Sequence, residues 1–200
     1  MDSLDMVAEE LMQRLFVEVE ASGRHVHVTK EQALALFGHS LTPVRPLSQP
    51  GQFVTGERVT LVGPKGEIPN VAVLGPERSR GQAELSLTDG IALGLKLPVR
   101  QSGDVDGTPG ILLKGSKGQV ALPCGAIAAK RHIHLPPEDA IRRGLQDGDI
   151  VKLKMRTTRP VILEDVVVRV SPNFAPRAHI DYDEANACAF QKGDWGMILK

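Results

Sequence analysis

Arg24-His25-Val26-His27-Val28-Thr29-Lys30-Glu31-Gln32 and Arg131-His132-Ile133-His134-Leu135-Pro136-Pro137-Glu138-Asp139 write one pattern twice. Each begins with an Arg-His-x-His-aliphatic pentapeptide and runs into a helix-start signal. Side chains two apart on a β-strand point to the same face, so each pentapeptide aims two imidazoles into one site while its aliphatic residues turn to a core. Thr29 to Gln32 fits a capping box that opens a helix through Phe37, and Gly38 stops it. After the second pair, Pro136-Pro137-Glu138-Asp139 opens a helix that ends at Gly144. The repeated unit is strand, His-x-His, short helix.

Outward from these segments, turn residues punctuate the chain. Twenty glycines, fourteen prolines, few aromatics and short Val/Ile/Leu runs predict short strands joined by tight turns, hence a mostly β protein. Gly63-Pro64-Lys65-Gly66-Glu67-Ile68 is echoed by Gly115-Ser116-Lys117-Gly118-Gln119-Val120. Neither has the Gly-x-x-x-x-Gly-Lys-Ser/Thr spacing of a phosphate-binding loop, so both predict hairpin turns. Leu145 to Leu153 reads as a turn into a strand, 161–170 as another strand, and Pro- and Asn-bearing turns lead on to His179. Strand-rich segments of this size close into barrels to remove exposed edges, which predicts two small β-barrels capped by short α-helices. Ahead of them, residues 1–15 predict an amphipathic helix with Leu4, Val7, Leu11 and Leu15 on one face and Asp2 or Ser3 as its cap. That stripe either packs on its own domain or docks elsewhere.

Composition excludes several functions. Lys plus Arg and Asp plus Glu balance at 24 each with no basic stripe, so nucleic acid is not an expected partner. No stretch reaches the apolar length of a membrane span, and the acidic start is unlike a secretory signal. Cys124 and Cys188 are isolated, matching neither a disulfide framework nor a Cys-x-x-Cys site. A soluble cytoplasmic protein is expected, with both cysteines as buried small apolar residues.

Four of the six histidines lie in the two pentapeptides, and neutral imidazole is the commonest metal ligand, suited to zinc, copper, iron or nickel. His25, His27, His132 and His134 are therefore candidate metal ligands. His179, in Ala178-His179-Ile180-Asp181, is a fifth, with Asp181 placed to orient its ring. His39, beside Gly38 at the end of a short helix, reads as a solvated side chain.

Seven segments together resemble one family, the PduL-type phosphotransacylases or phosphate propanoyltransferases of propanediol utilisation. They are Ser22 to Val28; Pro46 to Gln52; Thr60 to Gly66; Val73 to Pro76; Pro98 to Gly103; Arg131 to His134; and His179-Ile180-Asp181 followed by Asp183 to Ala187. The resemblance implies two β-barrels, one from 16–23 plus 130–200 and one from 24–129, with 1–15 as a separate helix. It implies two zinc ions per chain, one held by His25, His27 and Glu84 and the other by His132, His134 and His179. It makes Arg78 the phosphate-contacting arginine. The implied reaction is reversible conversion of acyl-CoA, propanoyl-CoA or acetyl-CoA, and inorganic phosphate to acyl-phosphate and coenzyme A. A homodimer is also implied, as is residence in the cytoplasm or inside a bacterial microcompartment, whose shell or cargo proteins residues 1–15 would engage. The chain departs from the family pattern at Gly23, where Asn is usual. It departs again at Leu87, where an arginine of a Glu-Ile-Ser-Arg-Thr-Asp pattern is missing, and at Pro136, where Ser or Thr is common. The residues fit two other activities: a zinc hydrolase of thioesters or acyl-phosphates, and a non-catalytic metal- or nucleotide-binding module. Three protein ligands per ion, rather than four, favours catalysis.

Overall fold

The computed structural model describes residues 3–200. Its elements run α1 (Ser3–Leu15), β1 (Phe16–Ala21), β2 (His25–His27), α2 (Lys30–Phe37), β3 (Pro43–Pro46), β4 (Phe53–Val62) and β5 (Glu67–Gly75). There follow β6 (Gln82–Leu85), α3 (Leu87–Leu93), β7 (Val99–Arg100), β8 (Ile111–Lys114), β9 (Gln119–Leu122) and β10 (Ala126–Ala129). The chain ends with β11 (His132–Leu135), α4 (Pro137–Arg143), β12 (Ile150–Met155), β13 (Ile162–Val170), β14 (Arg177–Ile180), α5 (Tyr182–Ala187) and β15 (Trp195–Leu199). The protein is mostly β, as its turn-punctuated sequence predicts. No helix among the described residues is long and apolar enough to cross a membrane.

Two compact units divide the chain: the described residues up to Ser22 with Arg131–Lys200, and Gly23–Lys130. The first is a closed six-stranded barrel in the order β1-β14-β11-β13-β12-β15. Its core includes Val17, Ile133, Leu135, Leu153, Met155, Val168 and Ile180, all 2% exposed or less. Removing each such aliphatic side chain from water contributes roughly 1.5–3 kcal/mol. The second unit is a nine-stranded sheet, β7-β10-β6-β2-β5-β4-β8-β9, with β3 beside β4. It is a half-barrel and does not close. Its edges are blunted instead by brevity: β7 has two residues and β9 four.

Within each unit a strand-cap-helix motif occurs twice. In the half-barrel, β2 leads through the Thr29 cap into α2 and β6 through the Ser86 cap into α3, both with complete capping boxes. In the barrel, β11 leads through Pro136 into α4 and β14 through the Asp181 cap into α5. Gly38, Gly94 and Gly144 end three of these helices at φ of 81°, 75° and 62°, a left-handed conformation that a side chain resists. Ser3 is already helical, and the alternative cap of α1, Asp2, lies outside the described residues.

The two echoed glycine segments are hairpin turns, as predicted, joining β4 to β5 and β8 to β9. Each turn also seats a helix end: Lys65 N–H donates to the Leu93 carbonyl of α3 at 3.0 Å, and Lys117 N–H to the Leu36 carbonyl of α2 at 2.9 Å. Gly63 and Gly115 make this possible, because a Cβ at either would run into the same Leu93 or Leu36 carbonyl.

Candidate metal centres

The repeat places the donors. In the half-barrel, β2 and β6 are antiparallel, with His25 opposite Glu84 and His27 opposite Gln82. In the barrel, β11 and β14 are antiparallel, with His132 opposite His179 and His134 opposite Arg177. Directly opposed residues on antiparallel strands, and residues two apart, share a face, so each strand pair gathers four side chains. Counted back from the helix caps, His27, Glu84, His134 and His179 stand at the second position, and His25, Gln82, His132 and Arg177 at the fourth. The intervening Val26, Ala83, Ile133 and Ala178 are fully buried on the opposite face. Each centre thus offers three donors from one scaffold, with Gln82 or Arg177 in the remaining place.

The pentapeptide arginines serve this scaffold. Arg24 forms a two-pronged ion pair with Asp89, Nε to Oδ2 at 3.2 Å and Nη2 to Oδ1 at 3.0 Å. Arg131 Nη1 reaches Glu184 Oε1 at 2.6 Å. Both acids are the third helical residue of the opposite motif's capping box. Each arginine therefore ties one histidine strand to the helix that follows the other donor strand.

In the half-barrel centre, His25, His27 and Glu84 are all buried. Their ligand atoms fall within 4.8 Å of one another. His25 Nδ1 lies 2.8 Å from the Gly23 carbonyl, so Nδ1 carries the proton and Nε2 keeps its lone pair. That Nε2 is 3.6 Å from Glu84 Oε2, and His27 Nε2 is 3.8 Å from Glu84 Oε1. A tetrahedral ion bound at about 2.0–2.1 Å holds its donors roughly 3.3 Å apart, so these three donors would draw inward to hold one. His27 Nδ1 is buried without a hydrogen bond of good geometry, although the Leu74 carbonyl is close enough to act on the ring.

Burial, with the charges of His25 and Arg78, lowers the His27 pKa to about 3, which keeps that imidazole neutral. Burial also acts to lower His25, but the charge and hydrogen bond of Glu84 and the Gly23 carbonyl overcome it, and its pKa rises above 6.5. Glu84 would be raised by burial, yet His25, His27 and the Ser102 hydroxyl hold it well below the usual carboxylate range. Without a metal, His25 and Glu84 each favour the other's charged form, beside a neutral His27.

Arg78 stands at this same centre. Its backbone N–H donates to the Val28 carbonyl at 2.9 Å, its Nη1 to Ser102 Oγ at 3.0 Å, and its charge is felt by both histidines. Ser102, which the sequence places only within the Pro98 to Gly103 segment, and Gln82, which it does not single out, connect it to the donors. Ser102 Oγ donates to Glu84 Oε1 at 2.7 Å, and Gln82 Nε2 to Glu84 Oε1 at 2.5 Å. Gln82 had one readable signal, its place four residues before a capping serine, matching His25 before Thr29.

In the barrel centre, the rings of His132, His134 and His179 lie 4.5 to 5.1 Å apart, and their ligand atoms fall within 4.8 Å of one another. Three imidazoles with convergent nitrogens suit a zinc-like ion. His134 stacks on Phe174 at 3.9 Å, and the Arg169 guanidinium lies over the Phe174 ring at 5.6 Å. Asp181, the residue expected to orient the His179 ring, has a local task as well. It caps α5, accepting from Glu184 N–H at 2.8 Å, because the chain has already left the strand there. Burial raises its pKa to about 6. The carboxylate facing His179 is Glu20 of β1, 4.0 Å from Nδ1 and held by Arg177 at 3.4 Å.

The remaining candidates lie elsewhere. His39 is exposed, with Nδ1 on the Ser40 carbonyl at 2.8 Å, as its sequence context predicts. Cys188 is fully buried, and burial pushes its thiol up. Cys124 departs from expectation: it is half-buried, with Arg80 Nη2 3.7 Å from its sulfur. Leu87, at the start of α3, is exposed.

The family model of phosphate propanoyltransferase matches residues 18–191. A curated phosphate propanoyltransferase of Enterococcus faecalis is 52% identical over 100% of this chain and 99% of its own length. One of Listeria monocytogenes is 58% identical over 92% of this chain and 87% of its own, and one of Thermotoga maritima 50% identical over 91% and 88%.

Proposed function

The chain belongs to the phosphate propanoyltransferase family of acyl-transferring enzymes, and from that premise we propose that it works reversibly with zinc, converting acyl-CoA and phosphate to acyl-phosphate and coenzyme A. His25, His27 and Glu84 would hold one ion and His132, His134 and His179 another. A bound ion supplies Lewis-acid charge able to polarise a carbonyl or stabilise a thiolate sulfur. Arg78 binds phosphate through its guanidinium, by charge-assisted hydrogen bonds to the anion. A phosphate oxygen attacks the thioester carbonyl carbon, the carbon–oxygen bond forms, and the carbon–sulfur electron pair leaves on the coenzyme A sulfur. No acyl-cysteine is needed, since Cys188 is sealed in the core and Cys124 sits with Arg80. Propanoyl-CoA and acetyl-CoA are both substrates in this reading.

One observation carries it: the arginine that would bind phosphate is joined by a single serine to a carboxylate in a three-donor cluster. The test is release of coenzyme A thiol from propanoyl-CoA and acetyl-CoA with and without phosphate. Release that requires phosphate is expected. Equal release in its absence would mark a hydrolase, and no release a binding module.

The same reading extends to assembly, with a homodimer in the cytoplasm or in a microcompartment. Its docking element is residues 1–15, for which the exposure of Leu4 (75%), Val7 (58%) and Leu11 (50%) is the support. A stripe packed on its own barrel would be covered.

A further inference from the structure

Ser102 is not among the donors, but every polar group of the half-barrel centre that is not a histidine meets at its hydroxyl. Arg78 Nη1 lies 3.0 Å from Oγ, Gln82 Nε2 2.7 Å and Glu84 Oε1 2.7 Å. The hydrogen positions follow from chemistry. A guanidinium nitrogen only donates. The Gln82 amide is oriented by its other end, where Oε1 accepts from Gly103 N–H at 2.9 Å, so its Nε2 also only donates. Two donors fill the acceptor side of the Ser102 oxygen, and its one proton goes to Glu84. Glu84 Oε1 then receives two hydrogen bonds, from Ser102 and from Gln82 at 2.5 Å, which hold the carboxylate with Oε2 3.6 Å from His25 Nε2 and Oε1 3.8 Å from His27 Nε2.

We infer that Ser102 is a positioning residue that couples the two halves of the reaction site: it fixes the Glu84 carboxylate against His25 and His27, and it fixes Arg78 at a set distance from that carboxylate. This rests on the proposed roles of Glu84 as metal ligand and Arg78 as phosphate ligand. A group that orients a ligating carboxylate typically changes metal affinity by about 10–100-fold when lost. Here the same hydroxyl also supports the phosphate arginine, so its loss must appear in two readouts at once. A residue that served only the fold would move neither in a protein that still melts normally.

The experiment compares full-length wild type, Ser102→Ala and Ser102→Thr. Zinc affinity is read by competition with a chromophoric chelator, and KM by separate titration of phosphate and propanoyl-CoA. For folded Ser102→Ala, one class of zinc should weaken about tenfold and phosphate KM rise several-fold, with propanoyl-CoA KM little changed. Ser102→Thr, which keeps the hydroxyl, should recover both. Movement of only one readout in Ser102→Ala, or of neither, overturns the coupling. If Ser102→Ala does not fold, Ser102→Cys carries the test, because its thiol keeps the shape with a weak donor and must show the same paired loss. Glu84→Gln and Arg78→Ala are measured alongside. If Glu84→Gln keeps wild-type zinc affinity, or Arg78→Ala keeps wild-type phosphate KM, the underlying assignment fails, and the coupling with it, whatever Ser102→Ala does.

Discussion

Arg78 and His25 are the residues at which the account is most exposed to measurement. Replacing Arg78 with Ala removes a charge-assisted fork, and phosphate KM should rise or turnover fall by one to two orders of magnitude, about 1.5–3 kcal/mol. An unchanged phosphate dependence in folded protein would make Arg78 structural. His25 predicts a pH dependence whose sign follows from Glu84. Because Glu84 raises the pKa of His25 above 6.5, the charged pair stabilises the metal-free protein fully below 6.5, and that contribution is lost as pH rises through the raised value. Zinc needs the neutral ring, so below the raised value affinity at this centre should fall about tenfold per pH unit. Chelator competition from about pH 6 to about pH 8 measures it, and a flat profile would contradict the proton competition. At this scale the sequence was partly legible. Paired imidazoles advertise themselves by repetition, whereas Glu84 was reached only through a family resemblance, since a carboxylate at the position equivalent to His27 carries no visible repeat. Glu20 was invisible for another reason: it meets His179 through the parallel pairing of β1 with β14, far apart in sequence.

Among elements, the strand-cap-helix motif was the most readable part, because caps and stop glycines are local chemistry. Thr29, Gln32, Gly38 and Gly144 all act as their sequence context predicts. Asp181 sits where a strand ends, and there it caps a helix. The hairpin glycines were legible as turns but not as helix seats, since that contact joins α3 to a turn before it and α2 to a turn well after it. Gly63→Ala and Gly115→Ala each force a Cβ against a helix-end carbonyl. Each should cost about 1–3 kcal/mol of stability and lower the melting temperature, as overpacking does. An unchanged melt in both would show that the turns do not seat the helices.

For the whole molecule, mostly β architecture followed from turn spacing and apolar runs, but whether a sheet closes depends on strand lengths and on pairings between distant segments. One unit closes and the other ends on short edges. The N-terminal helix shows a similar division. Its apolar face is exposed, while its C-terminal end is tied down: buried Arg143 donates to the Arg14 carbonyl at 3.2 Å and the Phe16 carbonyl at 2.9 Å. Deleting residues 1–11 should therefore leave melting temperature, zinc content and turnover nearly unchanged while lowering self-association or co-sedimentation with shell proteins. Deleting 1–15 also removes a carbonyl that a buried guanidinium uses, and should destabilise by about 1–3 kcal/mol. Equal melting temperatures for the two truncations would contradict that tie. The central claim is that the two repeat-built clusters are metal centres on which phosphate-dependent acyl transfer depends. Its most direct test is phosphate-dependent thiol release by chelated, metal-free protein as zinc is titrated back. The expected result is negligible release without metal and recovery that saturates near two equivalents of zinc per chain; full activity in protein shown by elemental analysis to be metal-free would contradict it.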